Sequence, residues 1–223
     1  MIKIAIDGPS GSGKSTLAKS LAKKLSFTYV DTGALYRTVA LYMLKNAVDI
    51  SDTDAVAAAL KNITLGIFHK DGAQHVTLNG EDVGDTIRTT EVTMASSKVS
   101  AQPAVRAFLL DTQRNMALTH NIIMDGRDIG TVIFPDAEVK LFLTAGNTSR
   151  AERRYLELRE KGEDITFEQV LADIETRDNN DRTRKEAPAI PAQDAIFIDN
   201  SSFTPEDTLN TALKIIESKL GAL

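Results

Sequence analysis

One glycine-rich segment constrains the fold of this chain more than any other part of the sequence. Residues 8–15 read Gly-Pro-Ser-Gly-Ser-Gly-Lys-Ser and match the pattern G-x-x-x-x-G-K-[ST]. Glycines let consecutive backbone N–H groups turn inward around an anion, and a helix that begins there adds the positive end of its dipole. The apolar run 2–6 precedes the segment, and Leu and Ala recur at helical spacing over residues 17–25. Strand, glycine loop and helix in this order predict a phosphate-binding P-loop, in preference to a glycine-rich turn with a chance lysine.

The P-loop pattern predicts how its residues hold a nucleoside triphosphate and a metal ion. Lys14 spans the β- and γ-phosphates, and the hydroxyl of Ser15 takes one Mg²⁺ position. Asp125 follows the apolar residues 122–124 and resembles the Walker B Asp, which holds Mg²⁺ directly or through water. The alternative for Asp125 is a capping residue for the next loop. The predicted ATP-binding residues are Gly8, Pro9, Ser10, Gly11, Ser12, Gly13, Lys14, Ser15 and Thr16.

Composition excludes several classes of protein. The net charge of −5 argues against a sequence-independent nucleic-acid binder. The absence of cysteine excludes a disulfide framework, a zinc–thiolate site and a thiol nucleophile. No apolar run approaches the roughly 18 residues of a membrane span, and the first strand begins at residue 2. We therefore expect no membrane partner and no signal peptide, and predict a soluble cytoplasmic protein.

The order of apolar runs predicts an α/β fold, with a parallel sheet covered by helices on both faces. Five core strands are predicted at residues 2–6, 27–30, 121–125, 139–143 and 195–199. Helical periodicity covers residues 89–118, with a break at Pro103, and a helix over 205–219 closes the chain. Between residues 63 and 88 the period changes to two, around the turn dipeptides Asp71-Gly72 and Asn79-Gly80. This region predicts a three-stranded antiparallel insert.

Charged residues follow two of the predicted core strands, at the sheet edge where ligands bind in open α/β folds. The segment Asp31–Arg37 follows the second strand, and Arg37 falls about one turn into a predicted helix. A solvated surface arginine is the equal alternative there. Gly126, Arg127 and Asp128 follow the strand 121–125, and we interpret them as ligand contacts.

A second group of candidate residues is the arginine-rich segment 150–184. Arg150, Arg153 and Arg154 share one helical face, which suits several phosphate oxygens at once. A helix that swings such guanidiniums over a bound nucleotide would act as a lid. The alternative is ion pairing with neighbouring glutamates on the helix surface, which fits Arg159 and Arg182 better.

Taken together, these motifs resemble those of the bacterial cytidylate kinases, within the nucleoside monophosphate kinases. The similarity spans essentially the whole chain and rests on the segments 6–11, 31–37, 80–83, 87–89, 125–131 and 177–184. The P-loop alone indicates only the superfamily, whereas Asp-Gly-Arg-Asp-x-Gly-Thr at 125–131 and the β-insert are far more specific. The resemblance implies a P-loop NTPase fold in a single kinase domain over 1–223. Within it we expect an NMP-binding subdomain at 32–118, its β-insert at 63–88, and a helical lid with flanking helices at 148–186.

The resemblance also implies a role for individual residues. Acceptor-phosphate contacts fall at Arg37, Arg127 and Arg184. Cytosine contacts fall at Ser97, Arg106 and Asp128. Ribose contacts fall at Arg177 and Asp181, and the pocket is lined by Thr32 and Tyr36. The implied catalytic set is Lys14, Arg127, Arg150, Arg153 and Arg154. Two positions depart from the family pattern: Thr32 stands where serine is also common, and Ser15 where some members have glycine.

The activity that the resemblance implies is transfer of the ATP γ-phosphoryl group to CMP, and to dCMP, with Mg²⁺ as cofactor. We expect a monomer that binds no nucleic acid. A uridylate, thymidylate or shikimate kinase is the alternative within the enzymes, although the β-insert and the segment 126–128 argue against it. A GTP-dependent switch is disfavoured because the sequence lacks Asn-Lys-x-Asp and Asp-x-x-Gly. A nucleic-acid-binding module built on 150–184 is disfavoured by the acidic net charge.

Overall fold

A computed structural model describes residues 1–70 and 73–221 of the chain. The predicted turn at Asp71-Gly72 lies outside the described residues. The chain divides into two compact units. The first unit comprises Met1–Tyr29 and Thr119–Leu223, and the second unit comprises Val30–Leu118.

The strands form two sheets. They are β1 Lys3–Asp7, β2 Thr28–Asp31, β3 Leu65–Lys70, β4 Ala73–Leu78, β5 Glu81–Asp82, β6 Ile122–Gly126, β7 Val139–Thr144 and β8 Ile196–Asp199. The larger sheet has the order β2-β6-β1-β7-β8, and β1 pairs in parallel with both β6 and β7. The five-stranded parallel sheet predicted from the apolar runs is confirmed. Its central strand has no exposed apolar surface, because Ile4, Ala5 and Ile6 are fully buried.

Eight α-helices accompany these strands within the described residues. They are α1 Lys14–Leu25, α2 Thr32–Lys45, α3 Thr53–Leu60, α4 Thr90–Val99, α5 Pro103–Asn115, α6 Asn147–Glu160, α7 Phe167–Thr183 and α8 Pro205–Leu220. Helices α1 and α8 cover the sheet of the first unit, where Leu21 and Ile216 pack with Leu141. Helices α6 and α7 pack on each other through a smaller apolar cluster that includes Leu158 and Ile174.

The second unit contains the predicted antiparallel insert. Strands β3, β4 and β5 form a three-stranded sheet, and both of its pairs are antiparallel, so that prediction is confirmed. Asn79 and Gly80 join β4 to β5 with φ angles of 51° and 90°, the left-handed conformation that Asn-Gly favours in tight hairpins. Helices α2, α3, α4 and α5 pack around a core that includes Leu35, Met43 and Leu109. As expected, the helical region 89–118 is broken before Pro103, the first residue of α5.

Within residues 1–70 and 73–221, no helix combines the length and the apolar character that a bilayer crossing requires.

Candidate functional site

The glycine loop between β1 and α1 has the backbone conformation of an anion cradle. Gly8 and Gly13 adopt φ angles of 148° and 88°, which L side chains rarely reach. A Cβ atom on Gly8 would lie 2.0 Å from the carbonyl oxygen of Leu143, so β7 leaves no space for any other residue there. Gly13 immediately precedes the first residue of α1. The positive end of the α1 dipole therefore faces the loop.

Lys14, the first residue of α1, lies folded into the loop. Its Nζ donates a hydrogen bond to the carbonyl oxygen of Pro9 at 2.6 Å, and the side chain is buried. Burial lowers the pKa of Lys14 well below its ordinary value, and the positive charge of Arg127 lowers the pKa further. The carboxylates of Asp125 and Asp178 act in the opposite direction. A buried cation beside other cations favours an anionic ligand, because the ligand's charge would offset both penalties.

Ser15 and Asp125 meet beside the loop. The Ser15 hydroxyl donates to Oδ2 of Asp125 at 2.8 Å, and the Tyr29 hydroxyl donates to Oδ1 of Asp125 at 2.8 Å. Neither here nor at any other place in residues 1–70 and 73–221 do three or more His, Cys, Asp or Glu side chains form a group that could hold a metal ion. A hydroxyl and a single carboxylate fit Mg²⁺, which keeps several waters and takes further oxygens from substrate phosphates.

Helices α6 and α7 hold the third residue of the loop, Ser10. Asp178 of α7 accepts the Ser10 N–H at 2.9 Å, and Arg150 of α6 donates to the Ser10 carbonyl oxygen at 2.7 Å. Arg150 also pairs with Asp178 and donates to Ala145 and Asn147. A guanidinium with this many partners, on a nearly fully buried side chain, is committed to the loop scaffold.

The structure separates three arginines that helical spacing predicts on one exposed face. Arg150 is buried under the loop, whereas Arg153 donates to the carbonyl oxygen of Asn200 at 2.6 Å and to its Oδ1 at 3.1 Å. Arg154 forms an ion pair with Glu157 at 2.9 Å and remains partly exposed. Spacing along α6 fixes the angular positions of the three side chains. The partners on neighbouring segments decide which of them reaches open solvent.

The residues after β6 form a charged network with α7 and the residue that follows it. Arg127 donates from Nε to Oδ2 of Asp181 at 2.9 Å. Arg184 lies 3.5 Å from Oδ1 of Asp128 and 3.8 Å from Oδ1 of Asp181. Arg177 contacts the Ser10 hydroxyl at 3.4 Å. The first unit thus brings together, beside the glycine loop, the five residues Arg127, Asp128, Arg177, Asp181 and Arg184.

A cavity of about 330 Å³ adjoins this network. Arg127 and Asp181 line it from the network, and Pro9 lines it from the glycine loop. Phe142 of β7 and Asn179 of α7 contribute further lining. The network therefore borders an open volume.

The predicted residues of the second unit lie in the first turns of α2, on α4 and on α5. Asp31 caps α2 by accepting the Ala34 N–H at 3.0 Å, and its other oxygen accepts a hydrogen bond from Arg37 at 2.9 Å. The guanidinium carbon of Arg106 lies 5.7 Å from the centroid of the Tyr36 ring, a cation–π arrangement. Arg106 also donates to the carbonyl oxygen of Ser100 at 3.2 Å.

Three of the predicted residues in the second unit have buried polar atoms. Thr32 is nearly fully buried at the start of α2. The Ser97 hydroxyl and the Arg37 Nε are buried atoms without a hydrogen-bond partner in the described part of the chain. Orphaned buried polar atoms are uncommon and point to a missing ligand or water.

Asp7, the last residue of β1, is a buried carboxylate that sequence reasoning missed. Its Oδ1 accepts the Ile129 N–H at 2.9 Å, and its Oδ2 accepts the Gly130 N–H at 2.8 Å. Burial raises the pKa of Asp7 to about 6, and the charge of Asp128 adds to that effect. The two backbone hydrogen bonds and the charge of Lys14 oppose the shift. The only sequence signal is an acidic residue at the end of an otherwise apolar strand.

Three further residues of the site were also missed. Asp178 directly follows Arg177 in the arginine-rich segment, so its proximity to a predicted residue was an available signal. Tyr29 lies in the second predicted strand, where an aromatic residue is ordinary. Asn200 donates from Nδ2 to the Ser12 carbonyl oxygen at 3.0 Å, across 188 positions of sequence. Nothing in the sequence indicates that contact.

Comparisons of the sequence with known proteins indicate one family. The family model described as Cytidylate kinase matches residues 4–218. The chain is 47% identical to the cytidylate kinase of Pasteurella multocida (strain Pm70), over 98% of this chain and 96% of that protein. It is 44% identical to the cytidylate kinase of Syntrophotalea carbinolica, over 97% of this chain and 92% of that protein. A crystal structure of an uncharacterized protein from Eubacterium ventriosum covers 98% of this chain and 99% of its own, with a TM-score of 0.50 and 13% identity, a likeness of fold alone.

Proposed function

Because the chain belongs to the cytidylate kinase family, we propose that it transfers the γ-phosphoryl group of ATP to CMP and to dCMP. The products would be ADP and CDP or dCDP. One observation carries the proposal: the glycine loop with Lys14 adjoins a network of arginines and carboxylates in the same unit. Such a site supports phosphoryl transfer between two bound anions.

We assign the binding of ATP, the phosphoryl donor, to residues 8–16. The inward N–H groups of the loop would hold the β-phosphate, and Lys14 would leave the Pro9 carbonyl to bridge the β- and γ-phosphates. Arg153 and Arg154 would swing in from α6 as lid arginines, stabilising the charge of the transferring group. Arg150 would act differently, because its contacts with Ser10 support a role in holding the loop.

Mg²⁺ bound to ATP would supply neutralisation of phosphate charge. Ser15 would offer it a direct oxygen ligand, and Asp125 would hold one of its waters. Tyr29 would keep the Asp125 carboxylate in one orientation, because the Tyr29 hydroxyl donates a hydrogen bond to the second carboxylate oxygen.

The acceptor half of the proposal concerns charge and position. A nucleoside monophosphate is largely dianionic near pH 7, because the second phosphate pKa is about 6. A phosphate oxygen of CMP would attack the γ-phosphorus while the bond to the β,γ-bridging oxygen breaks, and no general base is required. Arg37, Arg127 and Arg184 would hold the acceptor phosphate, and Arg177 and Asp181 the ribose. Catalysis then depends on positioning and charge neutralisation.

Selectivity for cytosine would come from paired donors and acceptors. Cytosine presents an N4 amino donor and an N3 acceptor, and uracil reverses both. Asp128 would accept from N4, and Arg106 and Ser97 would complete the contacts to the base. The buried Ser97 hydroxyl supports this, because it has no partner among the described residues. Each buried group left unpaired by uracil costs about 1–3 kcal/mol.

The proposal extends to the organisation of the chain. We assign the NMP-binding subdomain to residues 32–118, with Thr32 and Tyr36 lining its pocket, and the lid to 148–186. Lid closure would limit transfer to water, which competes as an acceptor. Monomeric state, cytoplasmic location and the absence of nucleic-acid binding stay predictions.

A panel of acceptors tests the proposal. ADP release from ATP and Mg²⁺ is measured with CMP, dCMP, UMP, AMP, TMP or no acceptor. We expect strong turnover with CMP and dCMP and little with UMP. Strong turnover with UMP or another acceptor instead would retain a kinase and reject the cytosine assignment. ADP release that is the same with and without acceptors would indicate an NTPase and reject the proposal.

A further inference from the structure

Arg127 and Asp128 lie in a short segment whose two ends are both attached to one residue. Asp7 stands opposite Gly126 in the parallel ladder of β1 and β6. Its carboxylate accepts the N–H groups of Ile129 and Gly130, at 2.9 and 2.8 Å. The backbone of Asp7 therefore fixes the residue before the Arg127-Asp128 pair, and the side chain of Asp7 fixes the two residues after it.

We infer that Asp7 is a positioning residue for phosphoryl transfer, which sets the acceptor-binding pair Arg127 and Asp128 relative to the glycine loop. The inference rests on the proposed function. Asp7 is joined by a peptide bond to Gly8, the first residue of the loop. Asp7 thus connects the glycine loop, which would bind the donor, to the Arg127-Asp128 segment, which would bind the acceptor.

The segment after Asp128 has a geometry that needs an external acceptor. Residues Ile129–Ile133 form a single π-helical turn, in which the carbonyl oxygen of Ile129 accepts the Phe134 N–H at 2.7 Å. The first N–H groups of any helical turn have no partner inside it. The side chain of Asp128, the N-cap residue, does not accept a hydrogen bond from these N–H groups. The Asp7 carboxylate supplies it from another strand, and the Asp128 side chain is left to pair with Arg184.

A carboxylate suits this position because both contacts are N–H donors. An asparagine of the same shape could accept from only one of them, and its amide would direct a donor at the other. The substitution would leave a buried N–H without a partner and let the turn shift. A displacement of about 1 Å in a positioning element reduces the rate of a transfer reaction by up to about 10²-fold.

The test compares Asp7→Asn with Asp136→Asn, an equal chemical change at an exposed carboxylate that pairs with Lys3. For Asp7→Asn we expect kcat/KM for CMP to fall by about 10- to 100-fold, with the KM for ATP changed much less. We also expect the ratio of kcat/KM for CMP to that for UMP to fall, because Asp128 is displaced. A residue that only stabilised the fold would not alter that ratio in protein that remains folded. Asp136→Asn should match the wild type in all three quantities.

A second variant reaches the same contact from the other side. A Cβ atom on Gly130 would lie 3.4 Å from Oδ2 of Asp7 and 3.1 Å from Cδ of Lys140. The contact with Lys140 is tighter than ordinary packing, whereas the contact with Asp7 is an ordinary one. Gly130→Ala should therefore press the backbone of residue 130 away from Lys140, loosen its N–H bond to Asp7, and give a smaller loss with the same pattern. This variant decides the question if Asp7→Asn does not fold.

The outcomes separate this inference from the proposed function. Failure of the wild type to use CMP rejects the proposed function, and the comparison is then repeated with the acceptor that the wild type uses best. Wild-type turnover of CMP with Asp7→Asn equal to Asp136→Asn in kcat/KM and in selectivity rejects the inference alone. Equal losses in the KM for ATP and the KM for CMP would also reject it, because they would indicate general damage to the first unit.

Discussion

In the glycine loop, the side chains that would meet a triphosphate already have partners, whereas two of the candidate acceptor residues in the second unit each have a buried polar atom that lacks one. Lys14 donates to Pro9 and Ser15 donates to Asp125. By contrast, the Ser97 hydroxyl and the Arg37 Nε are buried without a hydrogen-bond partner in the described residues. The comparison teaches that the polar side chains of the glycine loop are held by other groups of the chain. The candidate acceptor residues of the second unit instead leave hydrogen-bonding capacity that a ligand would satisfy.

Replacing Lys14 should produce the largest effect, because it removes the one buried ammonium of the glycine loop. For Lys14→Met we expect kcat to fall by about 10³-fold or more, the range in which a positioned cation acts on a transferring phosphoryl group. The melting temperature should not fall, because burial already penalises the charged form of Lys14. The measurement is kcat with saturating ATP and CMP, and Lys23→Met, on an exposed part of the same helix, is the control. A loss below tenfold would contradict a role for the Lys14 charge in phosphoryl transfer.

Replacing Asp128 should remove base selectivity and leave the donor cradle intact. Two buried groups left unpaired cost about 2–6 kcal/mol, which corresponds to about 30-fold to 10⁴-fold discrimination between CMP and UMP. For Asp128→Ala we expect most of that ratio to be lost while the KM for ATP is retained. Competition between CMP and UMP measures it, with Asp111→Ala on α5 as a surface control. An unchanged CMP-to-UMP ratio would remove Asp128 from the base site.

The free energy of unfolding should depend on pH through Asp7, the buried carboxylate between the glycine loop and the Arg127-Asp128 segment. Burial raises the pKa of Asp7 from 3.8 to about 6, so the folded protein binds a proton more tightly than the unfolded chain does. Protonation of Asp7 then stabilises the fold, fully below about pH 4, and the contribution is lost as the pH rises through about 6. Two units of pKa correspond to about 3 kcal/mol. The groups that face Asp7 are Lys14, which lowers the pKa, and Asp128, which raises it.

Urea denaturation between pH 4.5 and 7.5 tests this sign. The free energy of unfolding of Asp7→Asn minus that of the wild type should increase with pH, by about 2 kcal/mol over this range. Other carboxylates titrate in both proteins, and their contributions cancel in the difference. A difference that is flat with pH would mean that Asp7 does not titrate in the folded state over this range.

The smallest effects should come from a matched pair of serine substitutions that sharpens the comparison between the two units. Ser97→Ala removes a hydroxyl without a partner, so the melting temperature should stay the same or rise, while the KM for CMP increases by about 2- to 10-fold. Ser15→Ala removes the donor to Asp125, so it should lower the free energy of unfolding by about 1 kcal/mol and raise the Mg²⁺ concentration needed for half-maximal rate. Thermal denaturation and steady-state kinetics measure both variants. If Ser97→Ala destabilises the protein as much as Ser15→Ala does, the hydroxyl of Ser97 is not held for a ligand.

Local sequence signals predicted the elements because each signal acts over a few residues. The apolar runs marked all five core strands, and the Asn79-Gly80 dipeptide marked a hairpin turn that the structure contains. The glycine loop was readable for the same reason, since its conformation depends on neighbouring glycines. The network of Arg127 with Asp181 joins residues that were both identified, although the pairing itself was not predictable from spacing.

Contacts between distant parts of the chain were not predictable. Helical spacing placed Arg150 with Arg153 and Arg154, yet the contact with Ser10 depends on where α6 starts relative to the loop. Asp178 reaches Ser10 across 168 positions, and Asp7 reaches Ile129 across 122. No periodicity or motif reports on such pairs, because they follow from sheet order and helix packing.

Transfer of labelled phosphate from [γ-³²P]ATP tests the central claim most directly, because it follows the phosphoryl group itself. The wild type is incubated with Mg²⁺ and labelled ATP in the presence of equal concentrations of CMP and UMP, and the products are separated. We expect the label in CDP, with little in UDP and little in inorganic phosphate. Label found mainly in inorganic phosphate would contradict the claim that this site transfers the γ-phosphoryl group to a bound nucleotide, and label mainly in UDP would contradict its assignment to cytosine.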